Sequence, residues 1–176
     1  MSNIFLVSDM YFGRQNALKM HNRNFKELEE MSDVLIQNWN DKVSDSDTVY
    51  HLGNFAWDPF SANIALQQLN GNILFLEGNR DKALDETIKF HDKIDLLEDR
   101  ILELPEHNLL LCYYPLEHWN GKDEGVLHCH GYSHLLFPHQ VENNRMNVSV
   151  DCWNLSPINL DTIMDLIKEF KSYTNE

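Results

Sequence analysis

Long hydrophobic runs are missing from this chain: nowhere do about eighteen consecutive apolar residues occur, so no segment reads as a membrane span. The first residues, Met1-Ser2-Asn3-Ile4-Phe5-Leu6-Val7, have no basic stretch and no small-residue cleavage site, so a soluble cytoplasmic protein is expected. Cysteine is scarce and odd in number. Cys112, Cys129 and Cys152 lie in apolar surroundings and read as reduced, packed thiols rather than a disulfide framework. Positive charge is also in short supply. Lys and Arg total 14 against 28 Asp and Glu, a formal net charge of -14. Such a surface repels nucleic-acid backbones and acidic membranes, so neither a long nucleic acid nor a membrane is an expected partner. No Gly-, Pro- or Ser-rich linker, low-complexity tract or internal period marks a boundary, and 176 residues suit one core. A single domain over 1–176 is expected, and its oligomeric state is left open.

What is present is a recurrent pattern of short apolar runs ending in polar clusters. Ile4 to Val7 runs into Ser8-Asp9, Thr48 to Leu52 into Gly53-Asn54, and Ile73 to Leu76 into Glu77-Gly78-Asn79-Arg80-Asp81. Leu109 to Leu111 leads into Cys112-Tyr113-Tyr114-Pro115, and Val126-Leu127 into His128-Cys129-His130-Gly131-Tyr132-Ser133-His134. Runs of this length read as buried strands, and ligands of open α/β sheets bind beyond the carboxyl ends of strands. The clusters are therefore expected to converge on one site. Helical spacing of Phe25, Leu28, Met31, Leu35 and Trp39 predicts a helix over 25–40, packed by one face on a sheet. A second stripe, Leu160, Ile163, Met164, Ile167 and Phe170, predicts a final helix that Asn159 caps. Segments 96–104 and 107–114, split by Pro105-Glu106, read as paired strands, and 146–150 alternates like a half-buried one.

In order and spacing, the polar clusters resemble the calcineurin-like metallophosphoesterases, above all the small single-domain members common in phages and bacteria. The blocks are Asp9-Met10-Tyr11-Phe12-Gly13-Arg14, Gly53-Asn54, Gly78-Asn79-Arg80-Asp81, Tyr113-Tyr114-Pro115-Leu116 and Gly131-Tyr132-Ser133-His134. Asn16, Arg23-Asn24-Phe25 and the stretch Asn147 to Asn154 agree with that subfamily as well. The resemblance implies an α/β fold, a layered sandwich of two mixed β-sheets flanked by helices. It also implies two divalent metals, one at the positions of Asp9, Tyr11, Asn54 and His134, the other at Asn54, Asn79, Tyr113 and Tyr132.

At most of those positions the family's ligands are replaced. A divalent ion needs anionic oxygens and neutral imidazoles, and phenols or amides substitute poorly for either. Both metals are therefore expected to be absent, with no cofactor in their place. Arg80 stands where the family has the His that protonates the leaving group, and a guanidinium does not exchange protons near neutrality. The replacements nevertheless all remain hydrogen-bonding groups. Arg80 and Arg14 offer bidentate bonds to phosphate, while Tyr11, Tyr113 and Tyr132 offer hydroxyls and flat faces for a base. The resulting expectation is a pseudoenzyme that binds, and sequesters, a small phosphorylated nucleotide or nucleotide signal, as a phage counter-defence sponge would. Its ligand-binding set is Asp9, Tyr11, Arg14, Asn54, Asn79, Arg80, Tyr113, Tyr132 and His134. Two rivals stay open: a weak phosphodiesterase with one metal on Asp9, Asn79 and His134, and an acidic scaffold for a host protein. A closed ionic core in which Arg80 pairs with Asp9 is the inert alternative.

Overall fold

The computed structural model describes residues 2–81, 91–136, 139–140 and 143–174. The first sheet takes β1 (Ile4–Val7), β2 (Thr48–His51), β3 (Asn72–Phe75) and β4 (Ile94–Leu96) as parallel neighbours, with β10 (Ile158–Asn159) antiparallel at the β1 edge. The second sheet has the order β5 (Ile101–Leu104), β6 (Leu109–Cys112), β7 (Leu127–His130), β9 (Arg145–Asn147) and β8 (His139–Gln140). Its central pairs are parallel and its two outer pairs antiparallel. Both sheets are thus mixed, and with their helices they form a layered α/β sandwich, the fold class expected above.

Alternation along the strands divides the core in two. On the first sheet, Phe5, Val7, Val49, Ile73 and Phe75 face α2 (Leu28–Asn40) and α3 (Pro59–Leu66), meeting Met31, Leu35 and Trp39 from the one and Ala62, Ala65 and Leu66 from the other. The opposite face contributes Leu6, which with Leu52 and Leu76 meets Leu109, Leu111, Leu127, Cys129 and Met146 of the second sheet. Ile163 and Ile167 of α4 (Leu160–Thr174) close that second core. Asn159 does cap this helix, its side chain accepting the Asp161 N–H at 2.8 Å.

Several expectations need correction. Segment 96–104 is not one strand: Ile94–Leu96 belongs to the first sheet and Ile101–Leu104 pairs antiparallel with β6 in the second, so the chain changes sheets between them. The 25–40 helix begins only at Leu28, because Glu27 is extended, although Phe25 still packs on the first core. The strand expected over 146–150 stops at Asn147, and Val150–Cys152 turns as a 3-10 helix. Helix α3 carries no apolar period to betray it. Its signal is local: Asp58 accepts the Ser61 N–H at 2.9 Å, and Pro59 opens the first turn. A short helix, α1 (Ala17–Met20), follows the first polar cluster.

No described helix is long and apolar enough to cross a membrane. Cys112, Cys129 and Cys152 are free thiols.

Candidate functional site

The loops after β1, β2, β3, β6 and β7 meet at the carboxyl ends of their strands and bring the polar clusters together. Beneath them Ser8 bridges to Ser149, its N–H donating to Val148 O at 3.1 Å and its carbonyl accepting from Val150 N, which ties the two sheets. The loops approach so closely that side chains must be absent at the contact. A Cβ on Gly53, at φ +91°, would lie 2.5 Å from the Gly78 Cα. Glycine there lets the β2 and β3 loops touch backbone to backbone.

Five residues of the site hold left-handed backbone: Asp9 (φ +63°), Tyr11 (+58°), Asn54 (+58°), Tyr132 (+66°) and His134 (+46°). None is a glycine, so each costs roughly 1 kcal/mol or more, and the surroundings must over-determine it. Hydrogen bonds do so. Asp9 N donates to Gly53 O at 2.9 Å and Tyr11 N to Asn54 O at 3.0 Å, while Asn147 Nδ2 holds the His134 carbonyl at 2.7 Å. Arg23, buried, reaches the Asp9 carbonyl at 2.6 Å and the Met10 carbonyl at 2.8 Å while its other edge grips Asp151 at 2.8 and 3.2 Å. The β3 loop is fastened by Asp81, whose carboxylate accepts from Asn54 N, Phe55 N and Gly78 N. Burial raises Asp81 to about 6 despite those three donors.

At the centre lies Asn54. Its Nδ2 faces Asp9 Oδ1 at 3.1 Å, the Tyr11 hydroxyl at 2.6 Å and the Tyr113 hydroxyl, and its Oδ1 accepts the Arg80 N–H at 3.2 Å. Tyr113 turns its own hydroxyl toward Asp9 Oδ1 (3.3 Å) and Asn79 Oδ1 (3.2 Å). Asp9, fully buried, also accepts Ser8 Oγ–H at 2.8 Å and Tyr132 N–H at 3.1 Å. Desolvation, reinforced by the Asp9 charge, pushes both phenols far above the usual tyrosine range, so they stay neutral donors.

Around this centre the remaining residues fall into two groups. Arg14 is buried, its guanidinium 4.4 Å from the Tyr11 ring centre and 5.1 Å from that of Trp57. His134 lies between carboxylates, with Nδ1 2.6 Å from Asp151 and Nε2 3.8 Å from Asp9. Asn79, Arg80 and Tyr132 instead form an exposed rim, joined by Tyr114, whose ring lies 5.3 Å from that of Tyr132. The Arg80 side chain is exposed and makes no ion pair with Asp9, so the closed ionic core is not what forms.

All nine residues singled out in the sequence therefore gather here. Reading by motif missed His21, and it placed Tyr114, Asp81, Arg23 and Asp151 within or beside its blocks without giving them a role. His21 follows α1 outside any motif, yet its ring stacks on His134 at 3.6 Å and on Tyr11 at 5.1 Å. No feature of the linear pattern announces it.

No protein-family model matches the chain. Uncharacterized protein MJ1445 of Methanocaldococcus jannaschii is 34% identical over 178 residues, spanning 97% of this chain and 94% of that protein. The chain belongs to the family of that archaeal protein. The crystal structure of the protein of unknown function AQ665 from Aquifex aeolicus superposes with a TM-score of 0.70 over 94% of this chain and all of that one. At 24% identity, that likeness establishes the shared fold.

The two divalent ions that the resemblance implies would be held at positions where Tyr11, Asn54 and Tyr113 offer phenols and an amide. There the Asn54 carboxamide nitrogen is in hydrogen-bond contact with Asp9 Oδ1 and both phenol oxygens. An amide donor in that position does not fit such a pair. His21, His134 and Asp151 bring ligand atoms within 4.8 Å of one another. The two rings stack at an interplanar angle of 24° and His134 Nδ1 lies 2.6 Å from Asp151, which also pairs with Arg23, so an ion there would have to displace that contact. Chemically, the site offers neutral donors, a buried guanidinium and stacked imidazoles under a rim with an exposed arginine and two exposed tyrosines.

Proposed function

We propose that this protein is a metal-free relative of the calcineurin-like phosphoesterases that binds a small phosphorylated nucleotide, or nucleotide-derived signal, without hydrolysing it. The observation that carries this reading is the placement of the Asn54 carboxamide. It joins Asp9, Tyr11 and Tyr113 where a hydrolytic centre of that type needs a bridging anion, and it replaces ion charge with hydrogen bonds. Neutral phenols and an amide neither lower the pKa of a water nor carry a leaving-group proton at neutral pH. They do hold phosphate oxygens. Arg80 at the mouth supplies a charge that is free to fork onto a phosphate, and Tyr132, about half exposed at 48%, offers a face for a base. Sequestration of such a ligand is the role this arrangement suits.

Calorimetry with a panel of mononucleotides, cyclic dinucleotides and cyclic ADP-ribose isomers tests the reading, together with elemental analysis of the purified protein. We expect a member of the panel to bind without being consumed. Arg80→Ala is expected to weaken it by about 10- to 100-fold, the range for losing a hydrogen bond between charged groups. Two stoichiometric metals, or binding untouched in Arg80→Ala and Arg14→Ala alike, would overturn it.

A further inference from the structure

We infer that Trp57 and Arg14 form a second base platform, so that the ligand of this site is a dinucleotide with one base on Trp57 and the other on Tyr132. The inference rests on the reading of the site as a phosphate-ester pocket and narrows the class of ligand it takes. Trp57 differs from the other tryptophans. Trp39, Trp119 and Trp153 each donate the indole N–H to a backbone carbonyl, at 2.9, 3.0 and 2.8 Å, and none of them is exposed. Trp57 makes no such bond among the described residues and is 48% exposed. An indole that serves packing buries its ring and finds a partner for its N–H, so a ring left in water beside a candidate site points to a contact surface.

Arg14 supplies the second argument. Its residue is only 7% exposed, yet it joins no ion pair among the described residues. The guanidinium lies instead 4.4 Å from the Tyr11 ring centre and 5.1 Å from that of Trp57, with Nη2 3.6 Å from Met20 Sδ. Asp58, next to Trp57 in the chain, is engaged by the N–H and the hydroxyl of Ser61, each at 2.9 Å. A buried charge without a counter-ion is costly, and Arg23 shows the usual remedy in its pairing with Asp151. Arg14 therefore lacks an anion. The stretch 10–26, with Arg14, Lys19, Arg23 and Lys26, contains no acidic residue, so an approaching phosphate meets no like charge along it.

The two aromatic faces are joined through one centre. Arg14 lies over the Tyr11 ring, and the Tyr11 hydroxyl meets the Asn54 amide. The same amide meets the Tyr113 hydroxyl, and the Tyr113 ring packs edge-on against Tyr132 at 5.7 Å. A phosphodiester bound by Arg14 and the phenols thus has Trp57 at one end of this chain of contacts and Tyr132 at the other. A mononucleotide covers one face. A dinucleotide covers both.

The test compares the dinucleoside monophosphate ApA with the methyl ester of AMP, which carries the same phosphodiester charge and a single base, by calorimetry. We expect ApA to bind more tightly by about 5- to 150-fold, the range for one additional base stacked on an aromatic ring. Trp57→Ala should remove that advantage and change binding of the methyl ester by no more than about twofold, because the Tyr132 face remains. Equal affinities for the two probes, or ApA affinity unchanged in Trp57→Ala, overturns this inference and leaves the pocket reading standing, as does a panel in which a mononucleotide binds and no dinucleotide does. No binding by either probe or by any member of the panel overturns both. Should Trp57→Ala fail to fold, tryptophan emission decides: ApA should quench it in the wild type and quench it less in Trp57→Phe, and binding without quenching, or quenching equal in the two, refutes the inference.

Discussion

The centre of the site and its rim are built from similar side chains but held in opposite ways. Tyr11 and Tyr113 at the centre are buried, their hydroxyls bound to Asn54, and the backbone around them is forced into left-handed conformations. Tyr114 and Tyr132 at the rim are exposed, their rings packed on each other and on the ring of Tyr113. Arg23 and Arg80 repeat the contrast. The first is saturated by Asp151 and two carbonyls, the second has its guanidinium in solvent. A buried polar group that loses its partner costs stability, whereas an exposed one costs little, so the centre should answer to mutation with stability and the rim with binding.

The largest effect should come from Arg23→Ala. Removing the guanidinium leaves Asp151 buried beside His134 and frees two carbonyls under the site, a loss of about 3–5 kcal/mol. Urea denaturation should show it, and a loss below about 1 kcal/mol would erase the distinction between centre and rim.

Acid should come next. His51 lies under the β2 loop with Nδ1 accepting the Gly53 N–H at 3.2 Å and Nε2 buried without a partner between Phe55 and Phe75. Burial lowers it to about 3. The unfolded chain binds a proton near pH 6.5 and the folded one does not, so stability drops as pH falls below about 6.5, by up to about 1.4 kcal/mol per unit. Asp151 contributes a later loss. Burial would raise it, but the hydrogen bonds from His134 and Arg23 outweigh that and hold it at about 2, so its contribution disappears only as pH falls below about 4. Denaturation midpoints between pH 7 and 4 should decline in the wild type and decline less steeply in His51→Phe.

Asn54→Asp should have a smaller effect of a different kind. A second carboxylate beside Asp9 costs about 1–3 kcal/mol, and Mn²⁺ should restore part of it, because the change supplies the bridging anion a cation needs. Thermal melts with and without Mn²⁺ measure this, and a variant as stable as the wild type without metal would mean that the central network tolerates charge. Last is Tyr132→Ala. With its ring in solvent, it should change stability by less than about 0.5 kcal/mol while weakening a base-bearing ligand by about 1–3 kcal/mol, the range for lost base stacking. Equal losses for a nucleotide and for inorganic phosphate would remove the base from the rim.

Much of the scaffold could be read before the structure was seen. Runs such as Ile4 to Val7 and Thr48 to Leu52 are strands because their apolar length matches a buried parallel sheet, and the α4 stripe is a helix because its period is helical. Helix α3 escaped because its short segment is apolar nearly all round, so only the Asp58-Pro59 cap marks it. The break within 96–104 escaped because both halves are apolar and only pairing partners assign them to different sheets. In the site, Asp9, Asn54, Tyr113 and His134 were legible because each falls in the polar cluster that follows a strand. His21 sits in no motif.

The order of residues along the chain determined which side chains arrive at the carboxyl ends of the strands, because strand period and loop length are local properties. Tertiary structure decided what those side chains do there. Whether Arg80 pairs with Asp9 or faces solvent, whether Asn54 joins two phenols, and whether His21 reaches His134 depend on how loops from two sheets and α1 pack against one another. The site is held by contacts between residues as far as 128 positions apart, as in Arg23 to Asp151, and no local rule encodes them.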